Sequence, residues 1–204
     1  TSMLREAQAM AKLSHPHVVQ IYEVGLHEEQ VFVAMEFVKG RTLTAWLTEA
    51  PRTWKEIRDM FVQAGHGLAA AHAEGLVHRD FKPDNVLVGG DERARVADFG
   101  LAGIEQGNRR RGALSESARL SLRRLGDLDT ELTVAGAVQG TPAYMSPEQH
   151  RGDETDARTD LFSLCVALWE ALYGERPFPG DTLESLAAAV TQGQLRPRPA
   201  TTEV

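Results

Sequence analysis

The sequence His78-Arg79-Asp80-Phe81-Lys82-Pro83-Asp84-Asn85 is followed a short distance along the chain by Asp98-Phe99-Gly100. Between the two stretches, β-rich residues flank Gly89-Gly90-Asp91-Glu92, which is typical of a tight hairpin turn. Such a hairpin would bring Asp98 back to Asn85. The spacing therefore predicts one site that contains carboxylate, amide and ammonium groups.

Phosphoryl transfer is the chemistry that this set of groups suits, because the protein then mainly positions the reactants and neutralises charge. Asp80 could orient an attacking hydroxyl, and Lys82 could offset the charge that grows on the transferred group. Asn85 and Asp98 offer the hard oxygen ligands that Mg²⁺ (or Mn²⁺) requires.

These ordered motifs resemble the signature of eukaryotic-like protein kinases, with HRDFKPDN as the catalytic loop and DFG as the metal-binding turn. Ser146-Pro147-Glu148 stands in place of the usual Ala-Pro-Glu, and the phrases GTPAYMSPEQ and GERPFPGDT are similar to bacterial serine/threonine kinases. The resemblance runs from about Arg5 to Pro199. It implies an α+β, protein-kinase-like fold: a mostly helical C-terminal lobe and a partial N-terminal lobe with helix C and a β-hairpin.

The resemblance also implies a role for each matching residue. Asp80 matches the catalytic base, Lys82 the phosphate-contacting lysine, and Asn85 and Asp98 the metal ligands. On the ATP side the matching residues are the helix-C glutamate Glu6, the gatekeeper Met35, Glu36 and Val38, whose backbone would bond adenine, and Leu87 beneath the adenine ring. Asp160 matches an aspartate that braces the catalytic loop, and Met10, Phe99 and His78 match stacked core residues.

A hypothesis about regulation by phosphorylation follows from Arg79, which directly precedes Asp80. Arginine binds phosphate with two parallel hydrogen bonds, so we expect Arg79 to face a phosphorylated residue, with Thr133 as the first candidate and Thr130 as the second. Thr141 lies in the segment that resembles the substrate-docking loop of serine/threonine kinases, which implies protein substrates with serine or threonine acceptors.

Residues 1–38 are expected to form the partial N-terminal lobe. Residues 39–204 are expected to form the C-terminal lobe, with a long activation loop at 98–148. The sequence contains neither Gly-x-Gly-x-x-Gly nor Val-Ala-Ile-Lys. We therefore expect a kinase domain trimmed at both ends, and a piece that is inactive by itself. The resemblance also allows for a kinase dimer in the full-length protein.

Hydrophobic periodicity and turn residues predict the local structure. We expect a hairpin from Val18–Val24 and Val31–Val38, and a polar, arginine-rich loop at 104–132. Helices are predicted at 3–13, 42–49, 53–74 with Gly75 as its cap, 159–173 ended by Pro177 and Pro179, and 182–192. The apolar run around Cys165 predicts a core position. His78 is expected to be a packed, hydrogen-bonded histidine, and His15, His17, His66 and His72 are expected to form no cluster.

Composition narrows the classes of partner. The net charge is −7 and the sequence pI is about 5.5, which provides no general attraction to nucleic acid or an anionic membrane. No apolar run approaches the roughly 18 residues that a membrane helix needs. A single cysteine and no visible signal peptide suggest a reducing, cytoplasmic location for the catalytic domain, and the expectation leaves open a membrane tether in missing regions.

Two other functions compete with a protein kinase. A non-catalytic kinase-like scaffold is disfavoured by the intact Asp80, Lys82, Asn85 and Asp98, although the missing ATP-binding lysine favours inactivity of this piece. A small-molecule phosphotransferase of kinase-like fold is disfavoured by the segment 140–148, because such an enzyme needs no peptide-docking loop.

Overall fold

The computed structural model describes residues 13–27, 30–99 and 141–199. Two short antiparallel sheets and a group of helices give an α+β architecture, as expected. In chain order the elements are β1 (Ile21–His27), β2 (Gln30–Met35), β3 (Gly40–Thr42), α1 (Leu43–Glu49), α2 (Trp54–Ala73), a 3-10 turn (Pro83–Asn85), β4 (Val86–Gly89), β5 (Ala94–Val96), a second 3-10 turn (Thr141–Tyr144), α3 (Pro147–Arg151), α4 (Ala157–Tyr173) and α5 (Leu183–Gln192).

The first sheet is the predicted hairpin, in which β1 and β2 pair antiparallel, but the predicted strand bounds were wrong. β1 covers Ile21–His27 instead of 18–24, and β2 covers Gln30–Met35 instead of 31–38. The hairpin is joined to the rest of the molecule by residues 17–19, because Val18 forms a parallel bridge with Val96 in β5. On either side of this bridge, Val19 N–H donates to the Val96 carbonyl and Val96 N–H donates to the His17 carbonyl, both at 2.9 Å. The hairpin is thus anchored immediately before Asp98.

The second sheet has the order β3-β4-β5, with both pairs antiparallel. The β4–β5 hairpin is the one that the sequence predicts. The sequence analysis did not anticipate β3, which is only three residues long and begins with Gly40. A glycine is required there, since a Cβ at position 40 would lie 2.0 Å from the Val88 carbonyl oxygen.

Local capping explains where the helices begin and end. Thr53 and Glu56 form a reciprocal capping box at the start of α2, and Gly75 follows its end with a left-handed φ of +75°. The prediction for α4 needs correction: Asp156 caps it and it starts at Ala157, before residue 159. It ends at Tyr173, as predicted, with Gly174 (φ 72°) as its C-cap, before Pro177 is reached.

The main core lies where α2 packs between β5 and α4. Side chains from α1, the catalytic loop and β4 join those of these three elements, and the most deeply buried include Leu43, Trp46, Phe61, Ala64, Phe81, Val86, Val88, Val96 and Ala167. A second cluster joins α4 to α5 through Val166, Phe178, Leu186, Ala189 and Val190. Within the described ranges, no helix is both long and apolar enough to cross a bilayer.

Two predictions about individual residues were wrong. Cys165 is exposed rather than in the core, because α4 packs through its opposite face, where Val166 and Ala167 are buried. The three histidines His15, His17 and His66 do form a cluster, with ring centroids 5.5 Å and 6.2 Å apart in succession. The predicted helix 3–13, apart from the non-helical Leu13, and the loop 104–132 lie outside the described residues.

Candidate active site

A buried carboxylate accepts hydrogen bonds from the backbone of the catalytic loop. Asp160, in the first turn of α4, accepts hydrogen bonds from His78 N–H at 2.8 Å and Arg79 N–H at 2.7 Å. His72 Nε2 also lies 2.7 Å from the Asp160 carboxylate. Because Asp160 is completely buried, these contacts are what stabilise its charge there. The sequence analysis named Asp160 as the brace and placed it correctly.

His78 is the packed, hydrogen-bonded histidine that the sequence predicted. It has no exposed surface, and its Nε2 lies 2.8 Å from the Ala97 carbonyl oxygen. Its ring contacts Phe99, with the centroids 4.8 Å apart. Burial lowers the pKa of His78 below its ordinary value, which favours the neutral ring.

Asp80, Lys82 and Asn85 converge at one point of the loop. The Asp80 Oδ2 atom lies 3.5 Å from Lys82 Nζ and 3.3 Å from Asn85 Nδ2, and Asn85 Nδ2 also donates to the Asp80 carbonyl at 2.8 Å. The second carboxylate oxygen, Oδ1, is buried and has no hydrogen-bond partner among the described residues. Asp80 is therefore oriented through one oxygen and retains acceptor capacity on the other.

The β4–β5 hairpin brings Asp98 to this loop, as the spacing predicted. Ala97 N–H donates to the Asn85 carbonyl at 2.8 Å, so Asn85 and Asp98 start from adjacent backbone. Asp98 is open to solvent on one side and adopts a left-handed φ of 60°. The protein packed around its carboxyl raises the pKa of Asp98, and the nearby Asp80 charge adds to this effect.

The segment that we expect to bind adenine begins at the end of β2. Met35 is the last residue of that strand, and Glu36 N–H donates to the Gln20 carbonyl at 2.8 Å. Val38 lies beside Gly89, since a Cβ at position 89 would be 3.5 Å from a Val38 methyl group. Leu87 lies in β4 on the less buried face of that sheet. Three of the four residues thus lie at the end of β2 or just after it, and the fourth, Leu87, lies in β4, which Val38 approaches at Gly89.

Arg79 has an unusual backbone for a residue with a side chain, with φ at 66°. Its carbonyl accepts a 2.6 Å hydrogen bond from Gln149 Nε2, which joins the catalytic loop to α3. Its guanidinium Nε is buried and has no hydrogen-bond partner in the described part of the chain. The predicted regulatory partners Thr133 and Thr130 lie outside the described residues, as does Glu6.

The segment that resembles a substrate-docking loop packs on α4. Its 3-10 turn begins at Thr141, whose side chain lies outside the description. The Tyr144 hydroxyl donates to Glu170 at 2.7 Å, and the Tyr144 carbonyl accepts from the Ser163 hydroxyl, also at 2.7 Å. The Thr159 hydroxyl then donates to Glu148 at 2.6 Å.

Three contributors were missed by the sequence analysis: His72, Gln149 and Thr159. His72 follows Leu68 by one helical turn on the buried face of α2, so a polar residue at an apolar-stripe position was a usable signal. Gln149 and Thr159 gave no such signal for these contacts: Gln149 binds Arg79, 70 residues away in the chain, and Thr159 binds Glu148 across two different helices.

Comparison with known proteins agrees with this geometry. The family model described as protein kinase domain matches residues 1–202. The chain is 37% identical over 188 residues to the serine/threonine-protein kinase PknB of Mycobacterium tuberculosis, covering 90% of this chain and 27% of that protein. It is 34% identical over 191 residues to the serine/threonine-protein kinase PrkC of Bacillus subtilis, covering 93% of this chain and 26% of that protein.

The chain thus spans about a quarter of the length of the curated relatives that it matches. The match extends over almost all of the 204 residues and includes the catalytic loop, the β4–β5 hairpin and the docking segment. The chain belongs to the protein kinase family, as a catalytic domain of the bacterial serine/threonine type.

Proposed function

We propose that the natural protein carrying this chain transfers the γ-phosphoryl group of ATP to serine and threonine hydroxyls of protein substrates. Residues 1–38 contribute part of the smaller lobe, and residues 39–204 contribute the larger lobe with the activation loop 98–148. The observation that supports this proposal best is the buried Oδ1 of Asp80, which lies beside Lys82 and Asn85 and has no hydrogen-bond partner among the described residues.

Asp80 is the residue we propose as the base that orients the substrate. Its Oδ2 is held by Asn85 and lies near Lys82, so Oδ1 accepts the hydrogen of the attacking hydroxyl. Lys82 sits where a positive charge stabilises the phosphoryl oxygens as negative charge accumulates on them. In this arrangement the chain supplies positioning and charge, which is what phosphoryl transfer needs.

Asn85 and Asp98 are the residues we propose as ligands for Mg²⁺ (or Mn²⁺). Asn85 uses its amide N–H on the Asp80 backbone, which turns its side-chain oxygen toward a ligand. Two oxygen donors from the protein fit an ion that fills its other positions with water and substrate phosphates. When bound, ATP supplies the transferred group and the metal ion neutralises part of its charge.

We propose that the adenine of ATP lies between Met35 and Leu87, next to the backbone of Glu36 and Val38. The N–H of Glu36 is already bonded to Gln20, so its carbonyl is the group that would accept from adenine, with the Val38 N–H as the matching donor. Glu6 is proposed to act from helix C through the ATP-binding lysine of the family.

Regulation by phosphorylation is a further part of the proposal. The Nε of Arg79 is buried and has no partner within the described ranges, which supports a phosphate partner, for which Thr133 and then Thr130 are the candidates. Thr141 is proposed to lie at the docking position for the substrate hydroxyl. We propose protein partners, rather than nucleic acid, and a catalytic domain on the cytoplasmic side. Phosphosite mapping of active enzyme that finds residues 130–133 unmodified would contradict the regulatory part.

The function is tested with Asp80→Asn in the natural protein. Asparagine keeps the shape but cannot accept a proton, so phosphate incorporation into a generic serine/threonine substrate should fall by about 10²- to 10⁴-fold. ATP affinity should change little. The control Asp153→Asn removes an exposed carboxylate that pairs only with Arg151 among the described residues, and it should retain wild-type turnover. Wild-type turnover in Asp80→Asn would overturn the base assignment, and no ATP-dependent turnover in the wild type would favour the non-catalytic scaffold.

A further inference from the structure

Arg95 lies next to Glu36, in the segment that we expect to bind adenine. In the β4–β5 hairpin it lies directly opposite Leu87. Neighbouring residues of the two strands, such as Val86 and Val96, are fully buried on the other face of the sheet. Arg95 therefore shares the Leu87 face, and its side chain is only 14% exposed. A charged group in such a position requires partners.

Arg95 has two acidic partners on different segments. Its guanidinium donates to both carboxylate oxygens of Asp91, at 3.0 Å and 2.7 Å. Its Nε lies 3.9 Å from Glu36 Oε1, while the other Glu36 oxygen lies 3.5 Å from the Gln20 N–H. The Asp91 pair fixes the guanidinium plane, so the contact with Glu36 starts from a preorganised group.

The hairpin has left room for this arrangement. A Cβ at Gly89 would lie 2.6 Å from Asp91 Oδ1 and 2.7 Å from Arg95 Nη1, so a side chain there would force the ends of both partners to shift. The same face meets the segment after β2 again, because Gly90 N–H donates to the Lys39 carbonyl at 3.1 Å. The segment 36–39 is thus attached to the hairpin at both of its ends, through Arg95 at Glu36 and through Gly90 at Lys39.

We infer that Arg95 is a positioning residue for ATP binding. It holds Glu36, at the start of the segment that we expect to bind adenine, against the β4–β5 hairpin. This inference rests on the proposed function, since it concerns the same ATP site. We do not propose that Arg95 contacts a reacting group. Its effect is on the placement of the Glu36 carbonyl and the Val38 N–H relative to Leu87, and therefore on the affinity for adenine nucleotides.

The test uses Arg95→Met in the natural protein, which keeps much of the side-chain volume and removes the charge. The KM for ATP and the dissociation constant of ADP should rise by about three- to tenfold, while kcat at saturating ATP stays within about twofold of wild type. Arg95→Lys keeps the charge and should recover part of the affinity. The matched control is Arg93→Met, because Arg93 pairs with the same Asp91 carboxylate but is exposed.

A double-variant cycle shows whether Arg95 acts through Glu36. If it does, the increase in KM for Arg95→Met combined with Glu36→Gln should be no larger than the larger single effect. Multiplying single effects, an unchanged KM in Arg95→Met, or an equal rise in Arg93→Met would each overturn the inference. A wild-type protein without ATP-dependent turnover would instead contradict the proposed function, so the two failures are distinguishable. Melting temperatures of all variants identify a loss of folding, and Arg95→Lys then decides the question.

Discussion

The hydroxyl of Thr159 donates a 2.6 Å hydrogen bond to the carboxylate of Glu148. Thr159 is fully buried and its neighbour in the chain, Asp160, holds the backbone of the catalytic loop. Two consecutive residues in the first turn of α4 therefore fix two different parts of the site, the helix that follows the docking segment and the loop that contains Asp80.

Thr159→Val keeps the shape of the side chain and removes only the hydroxyl. We expect the free energy of unfolding to decrease by about 1–3 kcal/mol, because the Glu148 carboxylate loses its hydrogen-bond donor at a partly buried position. Substrate turnover should fall as the docking segment becomes less well placed. Urea denaturation measures the first effect. Thr191→Val is the control, since the Thr191 hydroxyl bonds an exposed carbonyl within its own helix; a similar loss there would contradict the argument.

Asp160→Asn should affect both stability and catalysis. The amide replaces one accepting oxygen by a donor, which then faces the N–H of His78 or Arg79 at a fully buried position. We expect a loss of about 2–4 kcal/mol in the free energy of unfolding. Because Arg79 precedes Asp80, kcat should also decrease at temperatures where the variant is folded. Asp59→Asn removes an exposed carboxylate instead, and wild-type stability is expected for it.

Two glycines of α2 should respond to alanine in opposite ways. A Cβ at Gly67 would lie 2.2 Å from the His17 carbonyl oxygen, whereas a Cβ at Gly65 would contact only a Leu164 methyl group at 3.6 Å. Gly67→Ala should therefore destabilise the protein strongly. Gly65→Ala should raise its stability by up to about 1 kcal/mol through helix propensity. Thermal unfolding of the two variants side by side checks this, and equal shifts would refute the close approach of α2 to residue 17.

The histidine cluster should make stability depend on pH. Burial lowers the pKa of His15, and the neighbouring His17 and His66 add to this effect. The unfolded chain therefore binds a proton at His15 more readily, so the free energy of unfolding should decrease as the pH falls below about 6.5. Protonation would also remove the hydrogen bond in which His15 Nδ1 accepts from His17 N–H.

His15→Asn tests this pH dependence, because the asparagine side chain can still accept from His17 N–H without binding a proton. Urea midpoints at pH 7.5 and pH 5.5 should differ less in this variant than in wild type. His27→Asn, at the end of β1 outside the cluster, removes a histidine as a control and should retain the wild-type difference.

Several helices could be predicted because the residues at their ends give a local sequence signal. Thr42, Thr53 and Thr182 are N-cap residues whose side chains accept from the first helical turn, so α1, α2 and α5 were found within about a residue. The convergence of Asp80, Asn85 and Asp98 was predictable for a similar reason, since one short hairpin determines it.

Other features depend on long-range packing and gave little local signal. Strand β3 depends on the close approach of Gly40 to Val88. Helix α3, by contrast, carries a local signal that the sequence analysis did not use, the capping box of Ser146 and Gln149. Cys165 has apolar neighbours, but which face of α4 is covered depends on where α2 and α5 pack. The ion pair of Arg95 likewise requires the hairpin and the segment after β2 to be side by side.

The brace at Asp160 also has a consequence for synthesis on the ribosome. Asp160 lies 81 residues after Arg79, so the catalytic loop leaves the ribosome long before the helix that fixes its backbone. Until α4 has emerged and packed against α2, the N–H groups of His78 and Arg79 have no buried carboxylate to bond, and the left-handed conformation of Arg79 lacks its support. A nascent chain that ends before α4 should therefore contain the whole HRDFKPDN motif without its native loop, and the order of translation itself delays formation of that loop until α4 has been made.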